Sequence, residues 1–127
     1  MTWSRAPVAA ALADAFAAAD DTVSCFERPP ATLNPPALIC TDPQTVFKRT
    51  AGMGVDRCEF LVTAVVGLEQ ADELDALMDM ADKAVFADPT LGGVCQVAVV
   101  VEYRSFRSFN VGGADFRAAD LAIQIDR

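Results

Sequence analysis

The feature that most constrains the fold is a change of hydrophobic period within residues 58–103. The first part, CEFLVTAVV, alternates in the manner of a strand, so that one of its faces is entirely apolar. That face consists of Cys58, Phe60, Val62, Ala64 and Val66. After Gly67 the period becomes that of a helix, and the later segment VCQVAVVVEY is again typical of a strand. The pattern predicts a strand, a helix and a second strand in that order.

The predicted helix is amphipathic. Its apolar positions recur at helical spacing: Leu74, Leu77, Met78, Ala81 and Val85. Its opposite face carries six acids: Glu69, Asp72, Glu73, Asp75, Asp79 and Asp82. Acids in the first turns and Lys83 in the last turn suit the helix macrodipole, and Asp88 and Pro89 end the run. We therefore expect this helix to lie across the apolar face of a sheet.

The second strand is also predicted to bury one face. In VCQVAVVVEY an unbroken apolar series recurs at alternate positions: Cys95, Val97, Val99, Val101 and Tyr103. Residues 111–114 then form a turn, and a last strand over residues 116–125 places Leu121, Ile123 and Ile125 on one face. A hairpin between these two strands is expected.

The N-terminal half is predicted to add a helix and two short strands. Val8, Leu12 and Phe16 recur at i, i+4 and i+8, which indicates a helix over residues 7–19 rather than a signal peptide. Strands are expected at residues 22–26 and 37–40, joined by a proline-rich connector. Residues 42–56 have weak periodicity and are interpreted as a mobile segment with one turn of helix at 43–48. Residues 1–127 are thus predicted to form one α+β domain, with a single mixed or antiparallel sheet on which the N-terminal helix and the central helix pack.

Composition argues against several functional classes. A net charge of −8 opposes general binding to nucleic acid, because the protein's field repels phosphates. No apolar run approaches the roughly 20 residues of a membrane span. The chain contains no histidine, and its serines have no recognisable base partner. We therefore expect no enzymatic activity, no cofactor, no specific nucleic-acid binding and no membrane association.

Metal binding is not indicated either. The four cysteines, Cys25, Cys40, Cys58 and Cys95, are widely spaced and are interpreted as buried, reduced thiols of a cytosolic protein rather than as disulfides or ligands. The carboxylates of Glu69, Asp72 and Glu73 share a helical face that could hold a divalent ion. A solvated helix face explains the same residues without a ligand.

One segment combines arginine with phenylalanine in an otherwise acidic chain. It contains Arg104, Phe106, Arg107 and Phe109, and it is interpreted as a strand with both phenylalanines on one face and the arginines partly on the other. Arginine and aromatic residues are enriched in protein interfaces. The alternative is that the phenylalanines close the core beneath a hairpin. The interface interpretation is preferred because the rest of the surface is acidic.

The order of elements resembles that of the tail-terminator and neck proteins of long-tailed bacteriophages. The resemblance covers residues 56–126: a strand, the helix LEQADELDALMDMADKAVFADPTL, a glycine turn, a long valine strand and a hairpin into a final alternating strand. It implies a structural virion protein that forms a ring, typically a hexamer. Such a ring caps the completed tail tube, stops its polymerisation and joins it to the head-side connector or stopper protein. The implied location is the virion neck, after assembly in the host cytoplasm.

A closed ring needs two complementary sides on each subunit. We expect the acidic helix face to meet the arginine and phenylalanine segment of a neighbour, because opposite charges help to fix register. The predicted contact residues are Arg104, Phe106, Arg107, Phe109, Phe47, Lys48, Arg49, Glu69, Asp72 and Asp79. Charge reversal at Arg104 and Arg107 is then expected to abolish the ring. The alternatives are another head-to-tail joining or minor tail protein and, more distantly, a small cytosolic ligand-binding or enzymatic α+β domain.

Overall fold

The computed structural model describes residues 5–28, 30–47 and 57–126. Within these ranges lie two helices, α1 (Arg5–Ala19) and α2 (Ala71–Ala87). The strands are β1 (Ser24–Phe26), β2 (Ala37–Phe47), β3 (Arg57–Gly67), β4 (Val97–Val111) and β5 (Ala114–Asp126). The five strands form one mixed sheet, so the predicted α+β fold with an N-terminal and a central helix is confirmed.

The sheet has the strand order β1-β2-β3-β5-β4. β1 pairs with β2 in parallel, and the other neighbouring strands pair antiparallel. β4 and β5 form the predicted hairpin, in which Gly112 and Gly113 both adopt the positive φ that such a tight turn needs. β4 therefore forms one edge of the sheet. At the other edge β1 covers β2 only from Ala37 to Ile39.

The main core lies between the helices and one face of the sheet. In α1 the side chains of Val8, Leu12 and Phe16 are completely buried, as their spacing predicts. The buried residues of α2 are Leu74, Leu77, Met78, Ala81, Ala84 and Val85. These helical residues share one apolar cluster with the predicted inner face of β3 and with Leu121, Ile123 and Ile125 of β5. Removal of this apolar surface from water is the main stabilising contribution.

The opposite sheet face carries no helix among the described elements. A smaller apolar cluster covers part of it, formed by Ala37, Ile39, Val65, Phe116 and Ala118. Phe26 and Leu33, from β1 and the proline-rich connector, pack against this cluster. The connector also approaches the β4–β5 turn closely, since a Cβ at Gly112 would lie 2.8 Å from the carbonyl oxygen of Ala31. The connector around Ala31 and Leu33 therefore covers one end of this helix-free face.

One predicted strand boundary is wrong, and one residue lies outside the helical turn predicted for it. β2 continues to Phe47, whereas the sequence predicted a strand ending at residue 40 and a turn of helix at 43–48. The strand continues because β3 supplies a partner, and irregularities on both sides of Pro43 accommodate a residue that has no N–H to donate. In addition, α2 ends at Ala87, directly before Asp88 and Pro89 as predicted, but Lys83 lies outside its last turn.

The predicted buried face of the second strand is also wrong. Val99, Val101 and Tyr103 are 47%, 52% and 39% exposed. Ala98 and Val100 pack on the core instead. Val99 precedes the bulge between Val100 and Glu102 and lies opposite Gln124 on the helix-free face, whereas the bulge brings Tyr103 opposite Leu121 on the helix side. The edge position of β4 leaves its outer side open. The alternation of apolar residues in the sequence indicates neither the bulge nor the position of the strand in the sheet.

Candidate interaction surface

Arg104 lies on the helix-free face and has carboxylate partners in its own chain. Its Nη2 lies 2.9 Å from Glu59 Oε1 on β3. Its Nε lies 2.7 Å from Glu102 Oε1, but this N–H makes no hydrogen bond, so the contact is an ion pair only. The hydrogen bond to Glu59 raises the pKa of Arg104 above its ordinary value. The guanidinium thus reaches from the edge strand across β5 to β3.

Arg107 has a comparable position at Asp120. Its Nη1 lies 3.2 Å from Asp120 Oδ1, and the same oxygen accepts a 2.8 Å hydrogen bond from Thr63 Oγ1. Arg107 also donates to the carbonyl oxygen of Ser105 at 2.8 Å and lies over the Phe109 ring at 5.4 Å. Asp120 and Thr63 are buried although no described helix covers this face. Both predicted arginines are therefore held by intramolecular contacts.

A third ion pair joins two strands of the same face. Arg57 Nε and Nη2 donate to Asp126 Oδ1 and Oδ2 at 2.7 and 3.0 Å, which is a bidentate contact between β3 and β5. This hydrogen bonding raises the pKa of Arg57. Partly exposed ion pairs add little to stability, so their main effect here is to fix side-chain positions.

Phe106 and Phe109 do not share a face, contrary to prediction. Phe109 packs on the small cluster of the helix-free face. Phe106 is 60% exposed and lies beside Ala71, Leu74 and Asp75 of α2, with which it lines a cavity of 190 Å³. A spacing of three places residues on opposite sides of a strand. Arg104 and Arg107 are also three residues apart. The pairing shift between them, together with Ser105 at φ 59°, nevertheless places both arginines on the helix-free face.

Asp72 and Asp79 lie on the outer side of α2, whereas Glu69 precedes the helix, contrary to the prediction. Glu69 and Asp72 are exposed, and Asp79 Oδ2 lies 2.9 Å from Lys83 Nζ one helical turn away. In the part of the chain that the structure describes, neither Arg104 nor Arg107 pairs with any of these acids. Arg107 does line the 190 Å³ cavity together with Asp75 of α2. Arg104 is instead held by Glu59 and Glu102 on the sheet.

The remaining predicted contact residues lie at the end of β2 and directly after it. Phe47 is the last residue of this strand. Lys48 and Arg49 lie outside the described residues. The prediction that they contact a partner therefore stays a prediction.

The outer edge of β4 is the largest feature that the sequence did not predict. Four large apolar side chains are exposed along it: Val99, Val101, Tyr103 and Phe106. Edge strands with unpaired main-chain groups and exposed apolar side chains are sites of protein association. We call this surface the β4 edge. A signal was present in the sequence, because β4 is a long valine-rich strand with no further predicted element to cover its outer side.

Tyr103 connects the β4 edge to α2. Its hydroxyl donates a 3.0 Å hydrogen bond to Asp82 Oδ2. Partial burial of the phenol, this hydrogen bond and the charges of Asp82 and Asp79 raise the pKa of Tyr103 to about 12. The contact fixes the central part of β4 against the helix.

We expect this contact to be visible in a pH titration. Tyr103 is the only tyrosine, so tyrosinate absorbance reports this residue alone. The folded protein should titrate near 12 rather than 10.0, and the free energy of unfolding should decline between these pH values, because the unfolded chain loses the proton first. Asp82→Asn should move the titration towards 10.0, whereas Asp14→Asn on α1 should not. A wild-type titration at 10.0 would contradict the contact.

Two grooves beside the helices contain few reactive groups among the described residues. One has a volume of 460 Å³ and lies between α1 and the loop after α2. Alanines of α1 line it, together with Leu91 and Val94 and the carboxylates of Asp14 and Asp88. Another, of 220 Å³, lies between the end of α1 and α2. Small apolar side chains and isolated carboxylates form no recognisable set of acid, base and nucleophile.

Other functional groups are likewise in structural positions. The four cysteines are thiols, of which Cys40, Cys58 and Cys95 are buried and Cys25 is half-buried. Burial and the charge of Asp20 raise the pKa of Cys25, which disfavours the reactive thiolate. Among the described residues no group of three carboxylates or thiols is placed to hold a metal ion. In the same ranges, no helix combines the length and apolarity needed to cross a membrane.

Comparison with known proteins does not assign a family to the chain. No protein-family model matches the sequence, and no curated protein matches it. The element order, the β4 edge and the ion pairs of the helix-free face are the observations on which a functional proposal can rest.

Proposed function

We propose that this protein is a structural component of a phage neck that resembles tail terminators and acts by forming a ring of identical subunits. The ring, of six copies in the family pattern, would cap the tail tube, stop its polymerisation and offer a surface to the head-side connector or stopper protein. The β4 edge is the observation that supports this most strongly. A 15-residue edge strand with four exposed large apolar side chains is a surface suited to association.

The distribution of ionisable groups supports assembly rather than turnover. Arg104, Arg107 and Asp120 form ion pairs that join strands of the sheet. The sequence has no histidine to act as a general base near neutral pH. The proposed role is therefore stoichiometric rather than catalytic: each copy acts by occupying one place in the virion neck.

The acidic helix face and the Arg104–Arg107 region remain the proposed charged parts of the subunit contact. Because both arginines already have intramolecular partners, simple charge reversal would disturb the fold and the contact together. An exchange of charges, Glu59→Arg with Arg104→Glu, keeps the pair between β4 and β3, and Glu102→Gln in both variants removes the second carboxylate beside residue 104. Rings that disappear in Arg104→Glu but return in the exchanged variant would assign Arg104 a structural role. Rings that are lost in both variants would support a role in the contact.

Negative-stain electron microscopy of the purified chain tests the proposal. We expect closed particles of one size with a central hole. A compact monomer at all concentrations would contradict the ring and favour the ligand-binding or enzymatic domain.

An assay of tube growth then addresses the place in the particle. Tail-tube protein of the same virus is polymerised with and without the ring. A terminator should stop elongation at one tube end at substoichiometric amounts. Rings that leave tube growth unchanged would indicate another head-to-tail joining or minor tail protein.

A further inference from the structure

The sheet ends in open strands on both sides. Within the described residues no strand pairs with the outer side of β4, and none pairs with the outer side of β2 beyond Ile39. An open edge carries main-chain N–H and C=O groups that another strand can use. The subunit therefore has two different open edges at opposite ends of one sheet, which is the arrangement that a head-to-tail contact needs.

The directions of the strands suit such a contact. β2, β3, β5 and β4 follow one another across the sheet, and each pair is antiparallel. β2 and β4 consequently run in opposite directions. A rotation about an axis roughly along the strands would bring β4 of one copy beside β2 of the next in antiparallel orientation. The alternation of directions would then continue from subunit to subunit.

The register of the sheet selects particular residues. Three rows cross all four strands without a bulge: Thr45–Glu59–Gln124–Val99, Val46–Cys58–Ile125–Ala98 and Phe47–Arg57–Asp126–Val97. The irregularities of β2 lie before Thr45, and those of β4 lie after Val100. The regular part of the sheet therefore begins at residues 45–47 on one edge and ends at residues 97–99 on the other.

The composition of these two segments favours pairing. Thr-Val-Phe at residues 45–47 and Val-Ala-Val at residues 97–99 are uncharged and rich in β-branched residues. Neither segment contains the lysine or proline that commonly protects an edge strand from pairing. In the antiparallel register of the rows, Val99 would oppose Thr45, Ala98 would oppose Val46 and Val97 would oppose Phe47.

We propose that neighbouring copies join edge to edge, with residues 97–99 of β4 pairing antiparallel with residues 45–47 of β2 in the next copy. The occupant of the β4 edge is thus a second copy of this chain, and one sheet continues around the assembly. This inference rests on the proposed ring and specifies its contact.

Site-directed cross-linking tests the pairing. Thr45→Cys and Val99→Cys are combined in a Cys25→Ser background, so that the remaining native cysteines are buried. A short bismaleimide should then give a ladder of covalent multimers on a denaturing gel, up to the size of the ring. Each single variant should stay monomeric under the same conditions. Dimers from Val99→Cys alone would instead show β4 meeting β4 about a two-fold axis, and would overturn the inference.

A blocking variant provides an independent measurement. Val99→Lys adds a charge to the edge at a side chain that is 47% exposed, and Leu68→Lys is a matched control at 48% exposure away from the edge. We expect Val99→Lys to be monomeric while folded and Leu68→Lys to form rings. Rings without the cross-linked ladder, or rings from Val99→Lys, would overturn the edge contact and leave the proposed function intact. A wild-type chain without rings would contradict both.

Discussion

Phe60→Ala should lower the free energy of unfolding by about 3–5 kcal/mol, the usual cost of removing a buried aromatic side chain. Phe60 is fully buried in the cluster that α1, α2 and the sheet share. Its removal leaves a cavity at the centre of the subunit, and neighbouring side chains close such cavities only in part. Total stabilities of about 5–15 kcal/mol make this loss a large fraction of the whole. Urea unfolding of the variant and the wild type measures it.

Phe86→Ala is the matched control for this prediction. Phe86 lies on α2 and is 85% exposed, so its removal should change the free energy of unfolding by no more than about 0.5 kcal/mol. Equal effects of the two substitutions would contradict the position of the core between the helices and β3.

Asp120→Ala should cost about 1–3 kcal/mol, because it removes the acceptor of a buried hydroxyl. Thr63 Oγ1 donates to Asp120 at 2.8 Å and is on a residue only 2% exposed, so its hydroxyl would lose its partner away from water. Arg107 would also lose its carboxylate, but its side chain is 36% exposed and water can replace part of that contact. The loss should appear in urea unfolding as a lower midpoint.

A second substitution separates the hydroxyl from the ion pair. Adding Thr63→Val removes the unpaired donor with little change of shape and should recover part of the stability, since removal of both partners costs less than removal of one. Asp115→Ala is the control, because Asp115 is exposed and accepts a 2.9 Å hydrogen bond from Asn110. Its effect should stay within about 0.5 kcal/mol. A cost for Asp120→Ala as small as that of Asp115→Ala would contradict the buried network.

Hydrophobic periodicity predicted the elements whose faces are covered by other elements. The stripe of α2 and the inner face of β3 were predicted residue by residue, because each packs against the other and any shift would expose apolar surface. The same reasoning placed Val8, Leu12 and Phe16 of α1 in the core. For such elements the pattern of apolar residues directly predicts which side chains are buried.

The candidate surface could be predicted only in part. Arg104 and Phe106 indicated a surface segment by their residue types. The bulges that set the directions of their side chains depend on pairing with β5, however, and this pairing cannot be read from the segment itself. The extension of β2 to Phe47 likewise depends on β3 as a partner. Which strand lies at an edge is a property of the sheet order, so the exposure of Val99 and Val101 could not follow from their alternation.

Sedimentation velocity of the wild-type chain over a concentration series tests the central claim, that this protein acts as a closed ring. We expect one discrete species with a mass of several copies, which is six in the tail terminators that the chain resembles. Its size should stay constant as concentration rises, because a closed ring has no free edge left. A species with the mass of a single chain at every concentration, or masses that grow without limit, would contradict the ring.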